Sequence, residues 1–143
     1  MTNSMPNAAE LLGSRRRVLV TGGAGFIGGA VVRRLLKESE AIVFNLDKMG
    51  YASDLTSIKE VISELGESAE QRHVLLRVDL ADAGAVREAV KAANPDLVMH
   101  LAAESHVDRS IAGPGVFIES NVTGTYNLLQ AVREHVEGLS GER

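Results

Sequence analysis

The chain has 143 residues, a net charge of −4 and 45% hydrophobic composition, enough apolar material for one globular domain with its own core. The acidic balance argues against a nucleic-acid partner, and the one basic run, Arg15-Arg16-Arg17, reads as solvated residues leading into a strand. Cysteine is absent, which excludes disulfides and thiolate metal sites and makes a reducing, cytoplasmic setting the expectation; no apolar window has the length of a signal-peptide core or a membrane span, so no membrane partner is expected.

Residues 1–14 are polar and carry Pro6 and Gly13, so a disordered leader is expected there and a single domain over 15–143. Arg17 to Val20 reads as a buried parallel strand. A glycine-rich turn follows, Gly22-xx-Gly25-xx-Gly28. Phe26, Ile27, Ala30, Val31 and Leu35 then recur at helical spacing. A second strand spans Ala41 to Leu46 and ends at Asp47. The next helix is marked by Leu55, Ile58, Val61, Ile62 and Leu65, with Ser53 or Asp54 as its cap and Gly66 as its stop. Glu67 to Arg72 reads as a polar connection, and Val74 to Val78 as a third strand that runs into Asp79-Leu80. Asp82 caps a helix that Asn94-Pro95 breaks, and Leu97 to Leu101 is the fourth strand. Gly113-Pro114-Gly115 starts a long last helix on which Phe117, Val122, Tyr126, Leu129, Val132 and Val136 form an expected core-facing stripe, widened by Ile118 and Leu128.

Strands alternating with helices imply right-handed βαβ units and a parallel sheet. The expected fold is α/β, a Rossmann-type doubly wound sheet with strands 1 to 4 in the order 3-2-1-4. That fold continues with further strands beside strand 4, so the chain is expected to be the N-terminal part of a longer protein, truncated before strand 5.

The position of the glycine run carries the first functional reading. Between a strand and a helix, Gly22, Gly25 and Gly28 let the backbone turn sharply and bring a pyrophosphate against bare N–H groups at the positive helix end. Asp47 closes strand 2 nineteen residues after Gly28, where an acid accepts from the adenosine ribose hydroxyls and repels a 2′-phosphate; this favours NAD over NADP, the other reading being a turn cap. Lys48 beside it could soften that preference. Asp79 ends strand 3 and either faces the adenine or caps the turn into the next helix. Beyond strand 4, Ala102 and Ala103 allow close approach, while Glu104, Ser105, His106, Asp108 and Arg109 offer polar groups. A Ser105-His106-Asp108 triad is a poor reading, because such close neighbours rarely converge into the required relay. His100 reads as a satisfied core histidine. Asn121, Thr123, Gly124 and Thr125 interrupt the last helix, either where a cofactor or backbone approaches or as a packing notch.

Taken together, Thr21 to Gly28, Asp47-Lys48, His100 to Ser110 and Asn121 to Thr125 resemble the extended short-chain dehydrogenase/reductase family. The run from Pro95 to Leu129 is similar to its dTDP-glucose 4,6-dehydratase branch. The resemblance implies an NAD cofactor, with Phe26 and Ile27 at the pyrophosphate, Asp47, Lys48, Met49 and Gly50 along the ribose, and Asp79 and Leu80 at the adenine. It also implies that Leu101, Ala102, Ala103, Glu104 and Ser105 pass along the cofactor, that Ser105 touches the sugar nucleotide, and that Ser120, where the family usually has threonine, lies near the nicotinamide half. The implied substrate is dTDP-glucose. The implied reaction oxidises the sugar C4 hydroxyl, eliminates water across C5 and C6 and returns the hydride to C6. The resemblance also implies a homodimer, to which the long last helix, near residues 116–137, contributes.

Two departures sit in the loop after strand 2, where Met49-Gly50 replaces Leu-Thr and the stretch from Tyr51 to Asp79 is longer than usual. A third concerns chemistry. The family's Tyr-xxx-Lys pair and Thr-Asp-Glu segment are missing: Leu55 and Gln130 stand four residues after the only tyrosines, Tyr51 and Tyr126. No catalytic residue is therefore assigned within the chain, and these groups are expected beyond residue 143. The other readings are a nucleotide-sugar epimerase fragment and a stand-alone NAD-binding module.

Overall fold

Four short runs of β-branched and leucine side chains, β1 (Arg17–Thr21), β2 (Ile42–Asp47), β3 (His73–Arg77) and β4 (Leu97–His100), pair in parallel in the order β3-β2-β1-β4. The structure, a computed structural model, describes residues 4–140. The expected sheet order is the one found. The registers Val18↔Val43, Val18↔Leu97 and Val43↔His73 bring the carboxyl ends of β1, β2 and β4 to one edge, the edge at which such sheets bind ligands.

Side-chain alternation sorts the core onto the two sheet faces. Val18, Val20 and Val43 pack on one face with α2 (Phe26–Glu38) and α3 (Thr56–Leu65). Leu19, Phe44 and Leu46 pack on the other with α5 (Ala83–Ala93) and α8 (Gly124–Ser140). Each buried Val or Leu removes its apolar surface from water, worth about 1.5–3 kcal/mol, and the connecting helices make the crossover right for parallel pairing.

Four local expectations are corrected. First, within the supposed disordered leader, residues 8–12 form a helix, α1 (Ala8–Leu12), closed by a capping box between Asn7 and Glu10. Its Ala8 and Leu12 are buried against α2, and Ala8 N–H donates to Glu38 at 2.7 Å; residues 1–3 lie outside the described residues. Second, the connection at 67–72 is helical, α4 (Glu67–Arg72), because Ala69 is buried and the Arg72 guanidinium donates to the Leu36, Ser39 and Ala41 carbonyls where α2 ends. Third, Leu55 holds the cap position of α3, and of the two expected caps Asp54 serves, its Oδ1 accepting from Thr56 N–H at 2.8 Å, while Ser53 does not.

Fourth, the last helix runs from Pro114 to Ser140 as expected, but through a π-helical turn, and its core face differs. The short helices α6 (Val107–Ala112) and α7 (Pro114–Phe117) lead into a π-helical turn at Ile118–Thr123 before α8. Gly124, Leu128 and Ala131 are the residues of this helix that are buried, whereas Ile118, Val122, Tyr126, Leu129 and Val136 of the expected core stripe are exposed. Small side chains allow α8 to approach closely: a Cβ on Gly124 would stand 2.9 Å from Leu80 Cβ. Among the described residues, no helix is long and apolar enough to cross a membrane.

Candidate functional site: the crevice over the glycine turn

The turn between β1 and α2 is held by backbone. Gly22 N–H donates to the Leu46 carbonyl at 2.8 Å and Gly25 N–H to the Gly22 carbonyl at 3.0 Å. Gly22 has φ +70°, and a Cβ there would stand 2.7 Å from Ala102 backbone; one on Gly28 would stand 2.0 Å from the Gly22 oxygen. The glycines are thus required by packing as much as by a ligand. The helix that follows begins with no side-chain cap and no acid in its first turn, so its leading N–H groups and positive dipole end are free for an anion. Phe26 and Ile27 flank that end, Phe26 being 96% exposed.

Asp47 ends β2 and is 7% exposed. Its Oδ2 accepts from Ala24 N–H at 3.1 Å, and its Oδ1 accepts from Met49 N–H at 2.8 Å and the Ser53 hydroxyl at 2.7 Å. The carboxylate therefore ties the glycine turn to the loop after β2. A carboxylate has about four acceptor positions, so three are occupied and one remains on Oδ2. Met49 takes φ +58°, which bends the chain back at residues 48–50.

The segment after β4 is fixed by a polar relay. Thr21 Oγ1 accepts from Leu101 N–H at 3.1 Å and Ala102 N–H at 3.2 Å. With both lone pairs engaged, its hydroxyl donates to His100 Nδ1 at 2.6 Å. His100 then carries its proton on Nε2 and donates to Thr125 Oγ1 at 2.9 Å, and Thr125 donates to the Asn121 carbonyl at 2.8 Å. Burial pushes the His100 pKa below its ordinary value, in keeping with a neutral ring. His100 is the satisfied histidine that the sequence indicates.

Asn121 adds a second clamp, accepting from Glu104 N–H at 2.8 Å and donating to the Glu104 carbonyl at 2.9 Å. From that fixed backbone Glu104 meets Lys48 at 2.8 Å, across the end of β1. Its carboxylate is the main reason that the Lys48 pKa is raised, with Asp79 and Asp47 adding smaller contributions. Beside this pair the Arg109 guanidinium stacks 3.6 Å from the centre of the Tyr51 ring. The loop after β2 and the segment after β4 thus touch twice over the glycine turn.

The structure brings Gly22, Gly25, Phe26, Ile27, Gly28, Asp47, Lys48, Met49, Gly50, Leu101, Ala102, Ala103 and Glu104 to this one edge. Others stand differently. Asp79 caps a turn, Oδ1 accepting from Ala81 N–H at 2.9 Å. The Leu80 side chain lies in the core, and the Leu80 carbonyl accepts from Asn127. Ser105 is exposed, and Ser120 sits half-buried on the π-turn. No hydrogen bond joins Ser105, His106 and Asp108 among the described residues. The sequence indicated neither the Asn121 clamp nor the Arg109–Tyr51 stack. It also passed over Asn45, fully buried with an unpartnered Oδ1 that a Cβ on Gly23 would approach to 2.1 Å. An asparagine inside an apolar strand was the available signal.

An uncapped helix end reached through a glycine turn, at the point where strand order reverses in a 3-2-1-4 parallel sheet, defines a Rossmann-type α/β domain. Residues 19–141 match the family described as GDP-mannose 4,6 dehydratase, and the chain belongs to that family. It is 47% identical over 127 residues to the dTDP-glucose 4,6-dehydratase of Shigella flexneri, covering 89% of this chain and 34% of the relative. Dehydratase 1 of Escherichia coli K12, of the same name, is 46% identical over the same shares. Among solved structures, the dTDP-glucose 4,6-dehydratase of Streptomyces venezuelae, described with NAD bound, superposes with TM-score 0.69 at 40% identity, covering 83% of this chain and 36% of that one. A UDP-glucose 4-epimerase of Thermus thermophilus, in complex with NAD, gives 0.65 at 35%, covering 83% and 34%. The chain spans about a third of the length of the curated relatives it matches.

Proposed function

We propose that the chain is the NAD-binding, N-terminal third of a dTDP-glucose 4,6-dehydratase. The observation that carries the cofactor is the uncapped α2 end beside the Asp47 carboxylate, which has one acceptor position left for a ribose hydroxyl. Phe26 and Ile27 N–H groups would hold the pyrophosphate, Asp47 to Gly50 the ribose, and Asp79 the adenine, with Leu80 contributing main chain only. Leu101 to Ser105 would pass along the cofactor, Ser120 would lie near its nicotinamide half, and Ser105 would reach the sugar nucleotide. When bound, NAD supplies a hydride acceptor for the sugar C4 position.

The residues of this chain bind and orient; they do not move the protons. Neither tyrosine has a lysine four residues on, so the Tyr-xxx-Lys pair and the acid and base of water elimination are assigned to chain beyond residue 143. Support for the dehydratase over an epimerase comes from identity, 40–47% to the dehydratases against 25–35% to the epimerases, since the fold is shared by both. The acidic balance and the absence of cysteine support a cytoplasmic setting. The exposed stripe of Ile118, Val122, Tyr126, Leu129 and Val136, running from the π-turn along α8, supports a homodimer through this helix.

The test is product analysis. The complete protein, incubated with NAD and dTDP-glucose, is expected to give a 4-keto-6-deoxy sugar nucleotide, lighter by one water. An epimer of unchanged mass would replace this reading with the epimerase.

A further inference from the structure

Lys48 directly follows the acid at the end of β2, the place from which a cation reaches a dinucleotide's 2′-phosphate in this fold. A free lysine there would oppose the selection that Asp47 makes. The side chain is turned away from that task. Its stem runs over Gly50, where a Cβ would come within 3.3 Å of Lys48 Cε, and its ammonium closes on Glu104 Oε1 at 2.8 Å. The Glu104 carboxylate is the more buried partner, with a side chain 15% exposed against 39% for Lys48, and Asn121 pins its main chain on both sides. A buried acceptor on a fixed backbone holds a charge-assisted bond in one geometry.

We propose that Glu104 is a specificity-determining residue for the dinucleotide: by engaging Lys48 across the glycine turn, it denies a 2′-phosphate its only neighbouring cation on the β2 loop and so enforces NAD over NADP. The inference rests on the NAD reading and extends it from Asp47, which repels the phosphate directly, to a residue 57 positions away that disarms the lysine beside it. Removing the Glu104 charge frees Lys48 to pair with the phosphate. A charge-assisted bond to the phosphate would then be available, and NADP affinity should rise about tenfold or more.

The experiment measures NAD and NADP dissociation constants by calorimetry on the complete protein, for the parent, Glu104→Gln, Lys48→Met and the double variant. Expected are an NADP-to-NAD affinity ratio about tenfold higher in Glu104→Gln than in the parent, whatever the change in NAD affinity itself, and loss of that gain in the double variant. An unchanged NADP-to-NAD ratio in Glu104→Gln, with NAD still bound by the parent, overturns the inference and leaves the cofactor reading standing. The same gain in the double variant also overturns it, since Lys48 would then have no part. A parent that binds neither dinucleotide removes both readings.

Discussion

The Asn121 side chain meets both main-chain groups of Glu104, accepting from its N–H at 2.8 Å and donating to its carbonyl at 2.9 Å, across 17 residues of chain. One amide thereby fixes the segment after β4 against the π-helical turn at 118–123. π-turns are rare and frequent at functional sites, and this one carries its amide to the crevice edge.

Asn121→Ala should remove both bonds and leave half-buried main-chain groups unpaired, a loss of about 1–3 kcal/mol. Asn121→Asp keeps the acceptor but not the donor and should fall between. Urea denaturation measures both; an alanine variant as stable as the parent would show that the clamp is decorative.

Gly28→Ala and Gly138→Ala should act in opposite directions. A Cβ at 28 meets the Gly22 oxygen at 2.0 Å, whereas one at 138 meets nothing within 4 Å. The first variant should fail to close the glycine turn and lose nucleotide binding. The second should stabilise α8 by about 0.5–1 kcal/mol, the usual difference between alanine and glycine in a helix. Thermal melts and NAD titration check the pair.

Stability should fall on mild acidification. Burial lowers the pKa of His73 and of His100 below the ordinary 6.5, so the unfolded chain binds more protons than the native one in the window below that value. Stability is then complete above 6.5 and is lost as pH drops through the lower native values. Protonated His100 also places a donor at Nδ1, against a Thr21 hydroxyl whose lone pairs already serve Leu101 and Ala102 N–H. Melting temperatures across mildly acidic pH should show a slope that His100→Gln reduces; an unchanged slope would exclude His100 as its source.

Leu12→Ala should destabilise the domain by about 2 kcal/mol, toward the lower end for a buried leucine because α1 lies at the periphery. Leu12 is 5% exposed and packs with Ala8 in the α2 cluster. Chemical denaturation measures it. An unaffected midpoint would show that the helix is dispensable to the fold.

The sheet order and the glycine turn were legible in the sequence because period and spacing encode them directly. The α8 face was not: Gly124 and Ala131 are buried because they are small, and a reading by hydrophobicity ranks Val122, Tyr126 and Leu129 above them. α1 escaped notice because its signal is one Ala8–Leu12 recurrence and a capping pair within a polar leader. At the site, Asp47, Lys48 and Glu104 were each visible as residue types. Their connections were not, since Lys48–Glu104 and Asn121–Glu104 depend on which loops the sheet brings together. Ser53 shows the same limit: a helix cap by sequence, its hydroxyl donates to the Asp47 carboxylate that the sheet brings within reach, and Asp54 accepts from the first N–H of α3.

Titration of the complete protein with NAD, for the parent and Asp47→Asn, tests the cofactor reading most directly. The parent should bind one NAD per chain, and the variant should bind about 10- to 100-fold more weakly, the loss of a charged acceptor at the ribose. No binding by the parent, or equal affinity in a folded Asp47→Asn, would contradict it.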